Sequence, residues 1–290
     1  MAKVTLKVRN LKKSYGKETV IKNLSFELHE GDIVGLIGEN GSGKTTTLSL
    51  IAGTRIPTSG DIYVCGISIK DKKDGYYKKL SVAFDEMPFY PYLSGEANLF
   101  QVSKSESEIS HVLKLCGLYE SRKKLVSSYS LGMRQKLNIA RALLKHSKVF
   151  LMDEPFNGLD PRALSEFKEN VKNEIQQREA TLLISSHALK ELMYFCNRYL
   201  FIKNGLIFAD VTSNDGKIEH ATSYVEVSVD SLNQNSELMS LLANGTYIPS
   251  LNRLYFRNNT GRTEVSGLKI KDLQLGQTVL ESIYMTMSLL

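Results

Sequence analysis

The sequence predicts an α/β protein: a parallel sheet flanked by helices, antiparallel strands ahead of it and a small α+β unit behind. Three observations lead there. Short, almost wholly apolar runs recur at "DIVGLIG" (32–38), "KVFLMDEP" (148–155) and "ATLLISSH" (180–187). Strands covered on both faces read this way, and such strands belong to parallel sheets. The helical stretch "SEFKENVKNEIQQRE" (165–179) separates the last two runs, making a strand–helix–strand unit. The opening runs "VTLKVRNL" (4–11) and "IKNLSFEL" (21–28) instead alternate with period two, as strands with one wet face do.

The elements follow in order. Residues 1 to about 66 read as strands and turns interrupted by one helix, which starts after Gly43 and stops at Gly53, a glycine C-cap. From about Pro88 to Lys145 the pattern is helical, with Met133, Leu137, Ala140 and Leu144 on one face. "YLFIKNGLIFAD" (199–210) reads as a hairpin, and polar "TSNDGKIEHATS" (212–223) as a linker. Beyond it, "YVEVSVD" reads as a strand with Val225, Val227 and Val229 on one face. A helix (236–245), a strand (253–258) and a final helix (278–290) bearing Leu280, Ile283 and Tyr284 follow. The expected organisation is a large domain over 1–211, with its helical part at 88–145, a linker at 212–223 and a small domain over 224–290. So small a unit is marginal alone and must bury its apolar faces on the large domain or on a second copy.

Composition narrows the function classes. The chain is 42% hydrophobic and 23% charged, with 37 basic against 31 acidic residues and a net charge of +6. The basic excess is mild and dispersed, so no nucleic acid is expected as a partner. The densest run, "KDKKDGYYKK" (70–79), reads as a solvated loop, with a lipid-headgroup contact as the alternative. The three cysteines are scattered without metal-ligand spacing. The N-terminus lacks an apolar signal core, and no apolar stretch approaches the roughly 20 residues of a membrane span. A cytoplasmic chain that reaches a membrane only through a partner is expected.

The chemistry begins at "GENGSGKTT" (38–46), which follows a predicted strand and opens a predicted helix. Gly38, Gly41 and Gly43 let the backbone N–H groups around Asn40, Ser42 and Thr46 close on a phosphate without Cβ clashes. Lys44 reaches the β and γ phosphates, and the Thr45 hydroxyl suits Mg²⁺. "FLMDEP" ends an apolar strand in Asp153, at the sheet edge where parallel sheets place ligands. Asp153 would bind Mg²⁺ through water, and Glu154 would face the γ-phosphate and orient or deprotonate a water. His187 closes the next strand and would lie at the same edge. Tyr15, in "KKSYGK", either packs on the core or stacks on a purine. A second anion-attracting helix start lies far downstream, at "SYSLGMRQK" (128–136).

Taken together, these motifs resemble the ATP-binding cassette ATPases across about residues 3–211. Their fold is a P-loop NTPase cassette, with a RecA-like parallel core, an antiparallel N-terminal part and a helical subdomain. Ser130, Leu131, Gly132 and Met133 stand at the family's signature, and the variant "YSLGM" followed by "RQKL" looks like bacterial drug, bacteriocin and peptide exporters. Asp160 in "NGLDP" matches the D-loop, Tyr15 the adenine-stacking aromatic and His187 the switch histidine. Asp85 stands where the family carries a glutamine at the metal. The stretch from Ala97 to Leu118 is short for the helical subdomain.

The resemblance implies ATP and Mg²⁺ as cofactors and a head-to-tail dimer in which one chain's signature caps ATP on the other's phosphate loop. That explains two anion sites in one chain. It also implies separately encoded membrane-spanning subunits, a homodimer or a heterodimer with a related cassette, and a peripheral position on the inner face of the cell membrane. The leading reading is the ATPase of an exporter. A cassette ATPase acting on macromolecules is the second, but the chain carries one cassette and no sustained heptads. A regulatory module that binds ATP without hydrolysing it is the third, and Glu154 and His187 argue against it.

Overall fold

The computed structural model describes residues 2–71, 74–84, 88–159, 161–212, 221–243, 245–258, 260, 262–273 and 278–289. Two long strands, β1 (Val4–Tyr15) and β2 (Glu18–His29), open the chain and pair antiparallel. β3 (Ile33–Ile37) is buried throughout and runs through the glycine-rich turn into α1 (Lys44–Ile51). β4 (Ser59–Val64) pairs with β1, and β5 (Ile67–Ser68) and α2 (Asp74–Lys78) lead to β6 (Leu80–Ala83). The helical stretch holds α3 (Gly95–Leu99), α4 (Glu106–Leu115) and α5 (Leu131–Leu143). Then come β7 (Val149–Asp153), α6 (Pro161–Gln177), β8 (Thr181–Ser186), α7 (Leu189–Leu192) and the hairpin of β9 (Arg198–Lys203) with β10 (Leu206–Thr212).

A six-stranded sheet runs in the order β10-β9-β3-β8-β7-β6 among the described residues, parallel except for the edge strand β10. A four-stranded antiparallel sheet, β2-β1-β4-β5, covers one face. The continuous apolar runs follow from this layering. In β3, Val34 and Leu36 face the core shared with the antiparallel sheet, while Ile33 and Ile37 face the core shared with the helices. The Thr5 and Thr181 hydroxyls, 2.6 Å apart in the buried seam, tie the two sheets together. The Thr181 hydroxyl also donates to the His29 carbonyl, so it leaves no polar group unpaired there. This is the predicted class, down to the antiparallel N-terminal part and the helical region.

The C-terminal part holds β11 (Ser223–Glu226), α8 (Val229–Gln234), α9 (Ser236–Ala243), β12 (Thr246–Ile248), β13 (Arg253–Phe256), β14 (Glu264–Val265), β15 (Leu268–Lys269), β16 (Lys271–Asp272) and α10 (Val279–Leu289). Its sheet order is β12-β13-β11-β16. Two expectations need correcting. The strand ends at Glu226, and Val229 begins a helix and is 45% exposed. Ser228 forces the change: its Oγ accepts the Ser231 N–H at 3.2 Å, an N-cap that outcompetes the alternating pattern. The stretch read as a linker is in part packed, for Ala221 and Ser223 are buried and Ser223 belongs to β11; residues 213–220 of it lie outside the described residues.

The C-terminal part buries its faces in two places. Val225, Leu232, Leu238, Leu254 and Phe256 form a small core of their own. Ile248, Tyr255, Val279, Leu280, Ile283 and Met287 instead join the large core on the helix side of the parallel sheet. The tail therefore packs on its own chain. Among the described residues no helix is long and apolar enough to cross a membrane.

Candidate active site

The glycine-rich turn sits between β3 and α1, and its shape is set by what cannot fit. Gly41 and Gly43 take φ of 81° and 110°, where a Cβ would be strained. A Cβ on Gly38 would stand 2.4 Å from the Ile202 carbonyl oxygen. The start of α1 has no side-chain cap and no acidic residue in its first turn, so its N–H groups and its positive dipole end face an incoming anion.

The side chains fit the same ligand. Ser42 Oγ is buried without a hydrogen-bond partner among the described residues. Such a hydroxyl is costly to leave unpaired, and a phosphate oxygen would satisfy it. Lys44 folds over the loop and donates to the carbonyls of Gly38 at 2.8 Å and Glu39 at 3.1 Å. Burial lowers its pKa, while the charges of Glu154 and then Asp153 pull it back. A cradle of N–H groups, a hydroxyl and a buried ammonium is a donor set for a polyphosphate. Asn40 and Thr45 are exposed beside it, and Thr46 is half-buried.

The acidic side of the site is built by strand register. β7 and β8 pair with Asp153 beside Ser185. The Ser185 hydroxyl donates to Asp153 and accepts the Glu154 N–H at 3.0 Å. Glu154 takes a positive φ of 45°, which turns its side chain back towards the glycine-rich loop. Glu154 Oε1 lies 3.8 Å from Lys44 Nζ. Glu154 Oε2 lies 2.9 Å from His187 Nδ1 and accepts from Asn157 Nδ2 at 3.4 Å. No sequence motif singles out Ser185 or Asn157. The only sign of Ser185 was a polar pair closing an apolar strand, "LLISSH".

Ser130 N-caps α5, its Oγ accepting the Met133 N–H at 3.2 Å. Leu131 is 53% exposed, whereas Met133 packs on the helix-side core. A Cβ on Gly132 would stand 3.0 Å from the Gly158 carbonyl oxygen, so α5 begins hard against the turn that follows Glu154. Among the described residues no hydrogen bond or ion pair joins residues 130–133 to residues 38–46. The two anion-attracting helix starts are separate within one chain. The Tyr15 ring is exposed, with Lys13 Nζ 4.8 Å and Arg55 Cζ 5.5 Å from its centroid. Asp85 and Asp160 lie outside the described residues.

Comparison with known proteins agrees with this geometry. The model of the ABC transporter family matches residues 21–157. The chain is 34% identical over 227 residues to the uncharacterized ABC transporter ATP-binding protein YhcH of Bacillus subtilis (strain 168), covering 77% of this chain and 74% of that one. It is 33% identical over 239 residues to the bacitracin transport ATP-binding protein BcrA of Bacillus licheniformis, covering 81% and 78%. A solved structure of the ATP binding subunit of an ABC transporter superposes with a TM-score of 0.66 at 29% identity, over 73% of this chain and 91% of that one. Kinship along most of its length makes this chain an ATP-binding subunit of the ABC transporter family, which hydrolyses ATP to power transport and works with separate membrane subunits.

Proposed function

We propose that the protein is the ATPase of an exporter for a drug, peptide or similar compound, acting on Mg-ATP held between two cassettes set head to tail. The observation that carries the chemistry is Glu154, whose two oxygens face Lys44 and His187 at 3.8 and 2.9 Å. Similarity to a bacitracin transport protein supports export. Separately encoded membrane subunits carry the substrate, and the second cassette is either another copy or a relative. The protein sits on the inner face of the cell membrane through those subunits.

Bound Mg-ATP supplies the phosphoryl group and a divalent charge. The residues of this chain do the rest. Lys44 and Ser42 hold phosphate oxygens, helped by the N–H groups from Gly41 to Thr46. Thr45 and Asp153 hold the metal, with Asp85 as a third candidate. Tyr15 stacks on the adenine. Glu154, held by Ser185 through its N–H and by His187 through its carboxylate, is the base for the attacking water. Ser130 to Met133 of the second cassette close the site, and Asp160 belongs to the matching D-loop sequence. The signature stands apart from the phosphate loop within one chain, and this separation is what calls for a second.

Glu154→Gln tests the reading. The variant should bind Mg-ATP, hydrolyse it about 10² to 10⁴ times more slowly, and accumulate as a dimer in light scattering. A variant that stays monomeric in saturating Mg-ATP would overturn the shared site. Export is tested by deleting the protein from its cell, which should raise sensitivity to at least one antimicrobial peptide or drug. Unchanged sensitivity across a broad panel counts against it.

A further inference from the structure

Every motif that the cassette chemistry uses lies at or before His187, and the C-terminal helix carries none of them. Yet α10 is bonded to one half of the site and lies beside the other. The Tyr284 hydroxyl donates to the His187 carbonyl oxygen at 2.8 Å, a contact spanning 97 residues. Three residues on, the Lys203 ammonium donates to the Met287 carbonyl and ties down the end of the helix. Met287 also lines a cavity of about 120 Å³ together with Asn40, Gly41 and Ser42 of the phosphate loop. Just before these anchors, Ile283 is fully buried in the core that also holds Leu189 and Leu192 of α7.

His187 itself needs such support. It stands just past the end of β8, and the short helix α7 that follows has no side-chain cap. Its Nδ1 reaches Glu154 at 2.9 Å, so any drift of its main chain moves the imidazole off the carboxylate. The Tyr284 hydroxyl is half-buried at this contact, and burial, with the charges of Glu39 and Glu154, raises its pKa.

We infer that Tyr284 is a positioning residue for ATP hydrolysis: it holds the main chain at His187 and thereby the imidazole against Glu154. This rests on the reading of His187 as part of the hydrolytic site. It gives the C-terminal part a role in the chemistry of its own chain.

The test compares full-length Tyr284→Phe, His187→Ala and the double variant by Mg-ATP hydrolysis and thermal melting. Phenylalanine keeps the ring in place and removes one hydrogen bond. Tyr284→Phe should lower kcat about 3- to 10-fold, leave KM for ATP within about twofold and shift Tm by no more than about 3 °C, so that the protein stays fully folded at the assay temperature. The double variant should be no slower than His187→Ala alone, because the hydroxyl then has no imidazole to place. Wild-type kcat in Tyr284→Phe beside a slowed His187→Ala overturns the proposal alone. So does an equal further fall on the His187→Ala background, or a loss of kcat that tracks a larger fall in Tm. An unslowed His187→Ala overturns the histidine's role, and the proposal with it.

Discussion

Ser185 shows how much one hydroxyl does at the residue scale. It is fully buried, donates to Asp153 and accepts from the Glu154 N–H. Glu154 occupies the left-handed region, which costs a residue with a Cβ roughly 1–2 kcal/mol. The serine offsets that cost and fixes the direction in which the carboxylate points. Ser185→Ala should therefore lower kcat about tenfold or more, and the unpaired N–H should cost about 1–3 kcal/mol of stability, read from hydrolysis rates and urea midpoints. Gly38 is a second residue with one tolerable identity. The atom that a Cβ would strike is main-chain oxygen of Ile202 at 2.4 Å, which no rotamer change relieves. Gly38→Ala should shift the phosphate loop and weaken ATP binding at least tenfold in a fluorescent-nucleotide titration.

At the element scale, the helical region is joined to the sheet's flanking helix by one ionic cluster. Glu174 on α6 meets His111 of α4 at 2.9 Å and accepts from Arg178, whose other nitrogen donates to the Leu143 carbonyl ending α5 at 2.6 Å. Burial by itself would raise the Glu174 carboxyl. Hydrogen bonds from His111 and Arg178 outweigh it and hold the group below the ordinary carboxylate value. A folded pKa below the unfolded one means that the folded state binds fewer protons. The stabilisation is complete above the ordinary carboxylate value and is lost as pH falls through the folded one. Glu174→Gln should thus flatten the acid limb of the stability curve, and cost about 1–3 kcal/mol at neutral pH because Arg178 loses its counter-charge. Urea unfolding between pH 3 and pH 7 measures both effects.

At the scale of the whole molecule, the C-terminal part shares one core with the sheet and its helices, through Ile248, Tyr255, Val279, Ile283 and Met287. Ile283→Ala should cost about 2–5 kcal/mol, as truncation of a buried isoleucine does, and should shift a single unfolding transition. Two transitions, with only the minor one shifted, would mean that the tail unfolds independently. The glycine-rich turn between β3 and α1 was legible in the sequence because the rules that shape it are local, acting within a few consecutive residues. The parallel strands were legible because burial on both faces favours near-continuous apolar runs, as in the five residues of β3, and the polar residues that β8 does bury are hydrogen-bonded. Where two local rules competed, at Ser228, the cap prevailed over alternation and shortened β11. Ser185 and Tyr284 were beyond reach for a different reason. Their partners stand 32 and 97 residues away, and strand register and the docking of α10 bring them together. An apolar pattern says that a face is covered; the folded chain decides by what, and here it seats its own last helix on the helix-side core, with Tyr284 against the main chain of His187.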